Sequence, residues 1–170
     1  MPLDVEVLAD QIRRAFWGES WHGPSVREVL AGVSAEDAAA HPIAGAHSIW
    51  EVVLHLTGGY NLVLRRVHGE RAQLSPEEEW PPVAEFSSEA WRESQHTLEQ
   101  LNQQLQAAVR AFPAERLSQE LGSSTRRTFS SAARLSTTCT MRARSFFSRR
   151  HSRRREGRPN NETQLTRSDG

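Results

Sequence analysis

The sequence contains no lysine; all 21 of its basic residues are arginine. Lysine codons are AT-rich, so the absence points to a GC-rich gene, in which alternative reading frames tend to stay open and to translate as Arg, Ser, Ala and Pro. Cysteine occurs once, at Cys139. That excludes an internal disulfide and any metal site built from several thiolates, and it accords with a reducing, cytoplasmic setting. No run approaches the roughly eighteen consecutive apolar residues that a membrane span requires, and the first residues show no basic segment followed by an apolar one. Neither a membrane partner nor a signal peptide is therefore expected. Aromatic residues are absent after Phe147, so the arginine-rich end lacks stacking groups. Clustered guanidinium groups attract polyanions nonspecifically, and no specific nucleic-acid partner is expected.

A chain of 170 residues with 37% hydrophobic content is long enough for one soluble domain with its own core. The net charge of zero hides a division. Residues 123–170 carry 12 arginines against Glu156, Glu162 and Asp169, a net charge of +9, and the rest of the chain carries −9. All five tryptophans, Trp17, Trp21, Trp50, Trp80 and Trp91, fall in the acidic part. The two parts differ in composition as two unrelated sequences would. We therefore expect an incomplete helical domain over residues 1–121 and an Arg/Ser/Thr-rich tail, largely disordered, over residues 122–170.

Val5, Leu8, Ile12 and Phe16 recur at helical spacing and predict a first helix over Asp4 to Trp17, ended by Gly18. Ser25 starts a short helical turn through Val26, Val29 and Leu30. Ser34 with Asp37 resembles a second capped start, and Pro42 and Gly45 then break the chain. Ser48 as N-cap and Glu51 at the third helical position open a second long helix through Val53, Leu56, Tyr60 and Val63 up to Gly69. Gly58 and Gly59 within it each cost about 1 kcal/mol relative to alanine, which predicts close packing against a neighbour there. A loop with Pro76, Pro81 and Pro82 leads to a third long helix, capped by Ser87 or Ser88 and running from Ala90 to about Phe112, with Trp91, Leu98, Leu101, Leu105 and Val109 on one face. Pro113 to Leu121 reads as a connection. A fourth helix is due after it, but Phe129, Ala132, Ala133, Ala143 and Phe147 sketch only a weak face around a Ser-Thr-Thr-Cys-Thr centre of poor propensity.

The stretches Trp21-His22-Gly23-Pro24-Ser25, Asp37-Ala38-Ala39-Ala40 and Gly45-Ala46-His47-Ser48-Ile49-Trp50-Glu51-Val52-Val53-Leu54-His55-Leu56 resemble the DinB-like (YfiT-like) superfamily of metal-dependent enzymes. The likeness covers about residues 5–121 and is most specific over 21–69. It implies an all-α, DinB-like up-down four-helix bundle in which three histidines hold a divalent metal, Zn, Ni, Mn or Fe. One ligand sits on the second helix and two on the last, within a segment of the form H-x-L-Y-H-A-G-Q-I. The position matching the first ligand is His55. The other two have no match in the chain as translated, because His151 lies in an arginine-rich stretch with no histidine four residues away.

The run Ser136-Thr137-Thr138-Cys139-Thr140-Met141-Arg142-Ala143-Arg144-Ser145 bears on that gap. Joining the last base of each codon to the first two of the next permits H-x-L-Y-H-A-G-Q-I. A C before the AC of a threonine codon gives histidine, the TG of Cys139 after a C gives leucine, and the ATG of Met141 after a C gives histidine again. Two explanations stand: a shifted reading frame after about residue 122, in the gene or in its sequencing, or a genuine variable tail on a truncated relative. The nucleotide sequence between the codons for Leu121 and Ser148 decides between them. A CGN codon for Arg144, or a codon for Ser136 or Thr140 ending in anything but C, dissolves the recovered motif.

In the intact family pattern three neutral imidazoles leave open metal positions at which water or a thiol is acidified, the chemistry of a hydrolase or of a thiol S-transferase acting on a small-molecule or thiol substrate. Apart from the resemblance, His55 reads as an ordinary helix histidine beside Val52 and Leu62. His22, His41 and His47 suit solvent-facing or capping roles, His68 and His96 suit exposed helix positions, and Trp50 suits packing. Two function classes follow. One is a metal-dependent enzyme by ancestry whose catalysis is impaired here; the other is a non-catalytic helical module that dimerises through an uncovered three-helix face.

Overall fold

Residues 5–18 and 23–113 are described by a computed structural model of the chain; the expected fourth helix, the basic tail, His22, Cys139 and His151 lie outside the described residues. Helix α1, Val5–Trp17, buries Leu8, Ala9, Ile12, Ala15 and Phe16 along one stripe. It stops at Gly18, whose φ of 127° only glycine adopts freely and whose N–H reaches Arg14 O at 3.1 Å. Two single-turn helices follow, α2 over Val26–Leu30 and α3 over Ala35–Ala39. Ser25 and Glu28 form a reciprocal capping box on α2, and Ser34 accepts the Asp37 N–H to start α3.

The capping box read at Ser48 and Glu51 opens α4, Ile49–Val67, which buries Ile49, Trp50, Val53, Leu56, Gly59, Tyr60, Val63 and Leu64. The stretch around Pro76, expected as loop, contains a further turn of helix, α5, Pro76–Glu79. Ser75 caps it, Glu78 returns the bond and Pro76 takes the first helical turn, where a missing N–H costs nothing. Helix α6, Ser88–Arg110, is capped by Ser87, which settles the choice between the two serines.

Among the described residues the fold is all-α, with three long helices around one core. Arg110 near the end of α6 pairs with Glu6 near the start of α1 at 3.3 Å, so these two helices run antiparallel. Helices α4 and α6 run parallel. Their first turns meet where Trp50 touches Trp91 and Ser94, and their last turns meet along a groove lined by Leu64, His68, Gln104 and Ala111. Strict up-down alternation therefore does not hold for this pair. The cause is the connection between them: at ~3.3 Å per extended residue, the segment from His68 to Ser87 can return along the whole length of α4, which rises ~1.5 Å per residue.

The first turns of α4 and α6 meet through indole rings. Trp50 is 2% exposed, and its ring centroid stands 5.2 Å from that of Trp91. Its Nε1–H donates to Ser94 Oγ at 3.0 Å, and Trp91 Nε1–H donates to Val33 O at 2.8 Å, which ties the α2–α3 segment to the bundle. Buried indoles are stable only with such acceptors. Deeper along α6, Gln106 Nε2–H donates to Asn102 Oδ1 at 2.7 Å, while Asn102 Nδ2 has no partner among the described residues although Asn102 is 0% exposed. Leaving such a donor unpaired costs about 1–3 kcal/mol.

Candidate functional site

His55 lies on α4 three positions beyond Val52, half-buried, on the side of the helix covered by the α5 segment. Its Nδ1 stands 2.7 Å from the Glu79 carbonyl oxygen. A carbonyl only accepts, so Nδ1 carries the hydrogen and the lone pair of the neutral ring resides on Nε2. The imidazole lies flat on Trp80, with centroids 4.0 Å apart and planes within 7°. The same indole stacks on His47 at 3.6 Å and 6°. Trp80 thus links the start of α4 to its middle. The α5 backbone comes this close because α4 carries glycine beneath it: a Cβ on Gly58 would stand 3.0 Å from the Glu78 carbonyl oxygen.

One turn before His55, Glu51 gathers the polar groups at the start of α4. Its Oε2 accepts the Ser48 N–H at 2.7 Å, stands 3.1 Å from His41 Nε2 and lies 3.5 Å from His47 Nδ1. Partial burial pushes the Glu51 carboxyl up, and the Ser48 N–H with His41 and His47 outweighs it, so the group titrates below its ordinary value of 4.5. A lowered carboxyl pKa adds stability that is fully present above that ordinary value and is lost as pH falls through the folded value. Glu51→Gln is therefore expected to lower neutral-pH stability by about 1 kcal/mol and to flatten the loss of stability in acid. Urea midpoints measured from about pH 6 to about pH 3 check this; wild-type and variant curves that stay parallel through that range would refute it.

The histidine readings divide accordingly. His41 and His47 are exposed and serve the α4 cap, while His68 and His96 are exposed on or beside their helices. Trp50 is a core residue. The close packing expected at Gly58 is present, with the Glu78 carbonyl as the neighbour, but Glu79 and Trp80 escaped the sequence reading, although the pattern Ser75-Pro76-x-Glu78 is itself a helix-start signal that could have placed the α5 turn. An open groove of about 570 Å³ near the last turns of α4 and α6, lined by Leu64, Arg65, His68 and Gln104, does not include His55.

A metal held by protein side chains needs several donors around one point. Among the described residues no group of three His, Cys, Asp or Glu side chains meets that condition. His55 has Nδ1–H anchored on a carbonyl and Nε2 carrying the lone pair, the usual arrangement around metal-bound histidine; His68 shares it, with Nδ1 at 2.7 Å from the Leu64 carbonyl oxygen, but lacks the stacked indole that His55 has. The described residues therefore do not by themselves fit a three-histidine centre.

The family model described as the DinB superfamily matches residues 20–142. The chain belongs to the DinB superfamily. The match begins beside Trp21, contains the whole block from Gly45 to Leu56, and runs past residue 121 to end inside the run Ser136 to Ser145. No curated protein and no solved structure matches the chain. Among the described residues no helix of this DinB superfamily member is long and apolar enough to cross a membrane.

Proposed function

We propose that this chain is a DinB-superfamily bundle descended from a divalent-metal-dependent hydrolase or thiol S-transferase, that His55 is its one retained ligand, and that catalysis is impaired because the two ligands of the last helix are missing. The observation that carries the reading is the preset ring of His55, with its Nδ1–H donated to Glu79 O at 2.7 Å. The Trp80 indole stacked on the ring at 4.0 Å and 7° distinguishes it from His68, whose Nδ1 also stands 2.7 Å from a carbonyl oxygen. Support for the loss comes from the family match, which extends through residues 122–142, a stretch that holds no histidine. One imidazole cannot fix an ion with open positions for water or a thiol, so no step of that chemistry is assigned to this chain. We attribute the loss to a shifted reading frame after about residue 122, against which stands the family match that continues in the present frame to residue 142.

The test is metal analysis of the purified full-length chain, followed by titration with nickel, zinc and manganese. Substoichiometric metal after dialysis and weak binding abolished by His55→Gln are the expected results. One tightly held ion per chain would overturn the reading, because the remaining donors would then have to come from outside the described residues.

A further inference from the structure

We infer that the segment from Ser75 to Trp80 is a positioning strap for His55, with Trp80 as its working side chain and Gly58 as its seat. The inference rests on the reading of His55 as a retained ligand and adds to it the part of the chain that sets the ring. Three contacts define the strap. The carbonyl of Glu79 takes the Nδ1 hydrogen of His55, the Trp80 indole lies 4.0 Å from the imidazole at 7°, and the Glu78 carbonyl sits 3.0 Å from where a Gly58 Cβ would be. Gly58 lies three residues after His55 on α4, so strap and ring meet the helix at neighbouring turns.

The strap is stiff for reasons of its own. Ser75 Oγ accepts the Glu78 N–H at 3.2 Å and Glu78 Oε2 accepts the Ser75 N–H at 2.8 Å. Pro76 removes one backbone freedom, and the Trp80 N–H closes the turn on Pro76 O at 3.2 Å. Trp80 is held a second time by His47, stacked at 3.6 Å. A helix histidine with no such frame rotates about two side-chain bonds and exchanges its ring hydrogen between nitrogens. Here a carbonyl fixes the hydrogen and an indole fixes the plane, so Nε2 is the nitrogen left to accept. That is the division of labour a ligand or an acceptor imidazole requires, and the described residues supply it.

The experiment reads the tautomer directly, in the full-length chain labelled with 15N-histidine and treated with chelator, at a pH where imidazole is neutral. Long-range proton–nitrogen spectra, with the His55 signals identified by their loss in His55→Gln, are expected to show Nδ1 protonated and Nε2 bare. Trp80→Ala is expected to move the tautomer ratio about tenfold toward the Nε2–H form, the effect of weakening one hydrogen bond, and Trp80→Phe, which keeps a flat ring, to restore it. Gly58→Ala is expected to shift the ratio the same way with helix content unchanged, because the added methyl lifts the strap rather than α4. A wild-type ring protonated at Nε2 would overturn the inference. So would a ratio that neither Trp80→Ala nor Gly58→Ala moves. Since no metal is present, this test can fail while the metal assay succeeds, and the reverse.

Discussion

Translating the gene in the alternative frame from about residue 123 onward is expected to give a chain that binds one divalent ion at least about four orders of magnitude more tightly than the present one, a difference of more than ~5 kcal/mol. The physical ground is the donor count. His55 supplies one imidazole, and the recovered segment H-x-L-Y-H-A-G-Q-I adds two, four residues apart and so on one face of a helix. Three donors replace water one after another on an ion whose position the first has already fixed. The same change should raise stability in the absence of metal. A closing helix that buries four or five large apolar side chains at ~1.5–3 kcal/mol each contributes roughly 6–15 kcal/mol, as much as the whole stability of an ordinary domain. Calorimetric titration with nickel or zinc and thermal melting of both chains check the two parts. Equal affinity and equal melting would mean that the present tail is the native end of this bundle and that the recovered motif is a coincidence.

Trp50→Ala is expected to destabilise the chain by about 3–5 kcal/mol, the range for deleting a large buried aromatic side chain. Trp50 is 2% exposed, packs against Trp91 in a tilted pair with centroids 5.2 Å apart and places its Nε1–H on Ser94 Oγ at 3.0 Å. Its removal opens a cavity where α4 meets α6 and leaves Ser94 with its remaining bond to Ala90 O. Because this contact holds the first turns of two parallel helices together, the loss should spread to the Trp91–Val33 link and the α2–α3 segment beyond it. Urea unfolding followed by far-ultraviolet circular dichroism gives the value, and Ser94→Ala, expected to cost about 1 kcal/mol, separates the hydrogen bond from the packing. A Trp50→Ala midpoint within about 1 kcal/mol of wild type would remove Trp50 from the core.

Helix starts were legible because their chemistry is local. Ser48 and Glu51 satisfy each other's backbone across three residues, and no distant contact is needed to make that pattern work. The same holds for Ser25 and Ser34, and for the stripe Leu8, Ile12, Phe16, whose periodicity alone gives α1 its buried face. The α5 turn has equally local causes in Ser75, Pro76 and Glu78, but Pro76 together with Pro81 and Pro82 reads as loop. Gly58 announced a close neighbour through its cost in a helix, without saying which segment the neighbour would be.

His55 was singled out by likeness to a family pattern, and nothing local in Val52-Val53-Leu54-His55-Leu56 distinguishes a ligand from a surface histidine. Its hydrogen, its plane and its partner depend on residues 24 and 25 positions away, brought alongside by a connection long enough to fold back on α4. For the same reason the parallel course of α4 and α6 could not be read from periodicity, which reports the face a helix buries and not the direction in which it runs. The linear chain by itself determined where the helices begin, which faces they bury and the family, because these depend on neighbours within a few residues or on residue identity alone. Only the tertiary structure decided that Glu79, Trp80 and Gly58 frame His55, because that arrangement depends on which distant backbone comes to rest against α4.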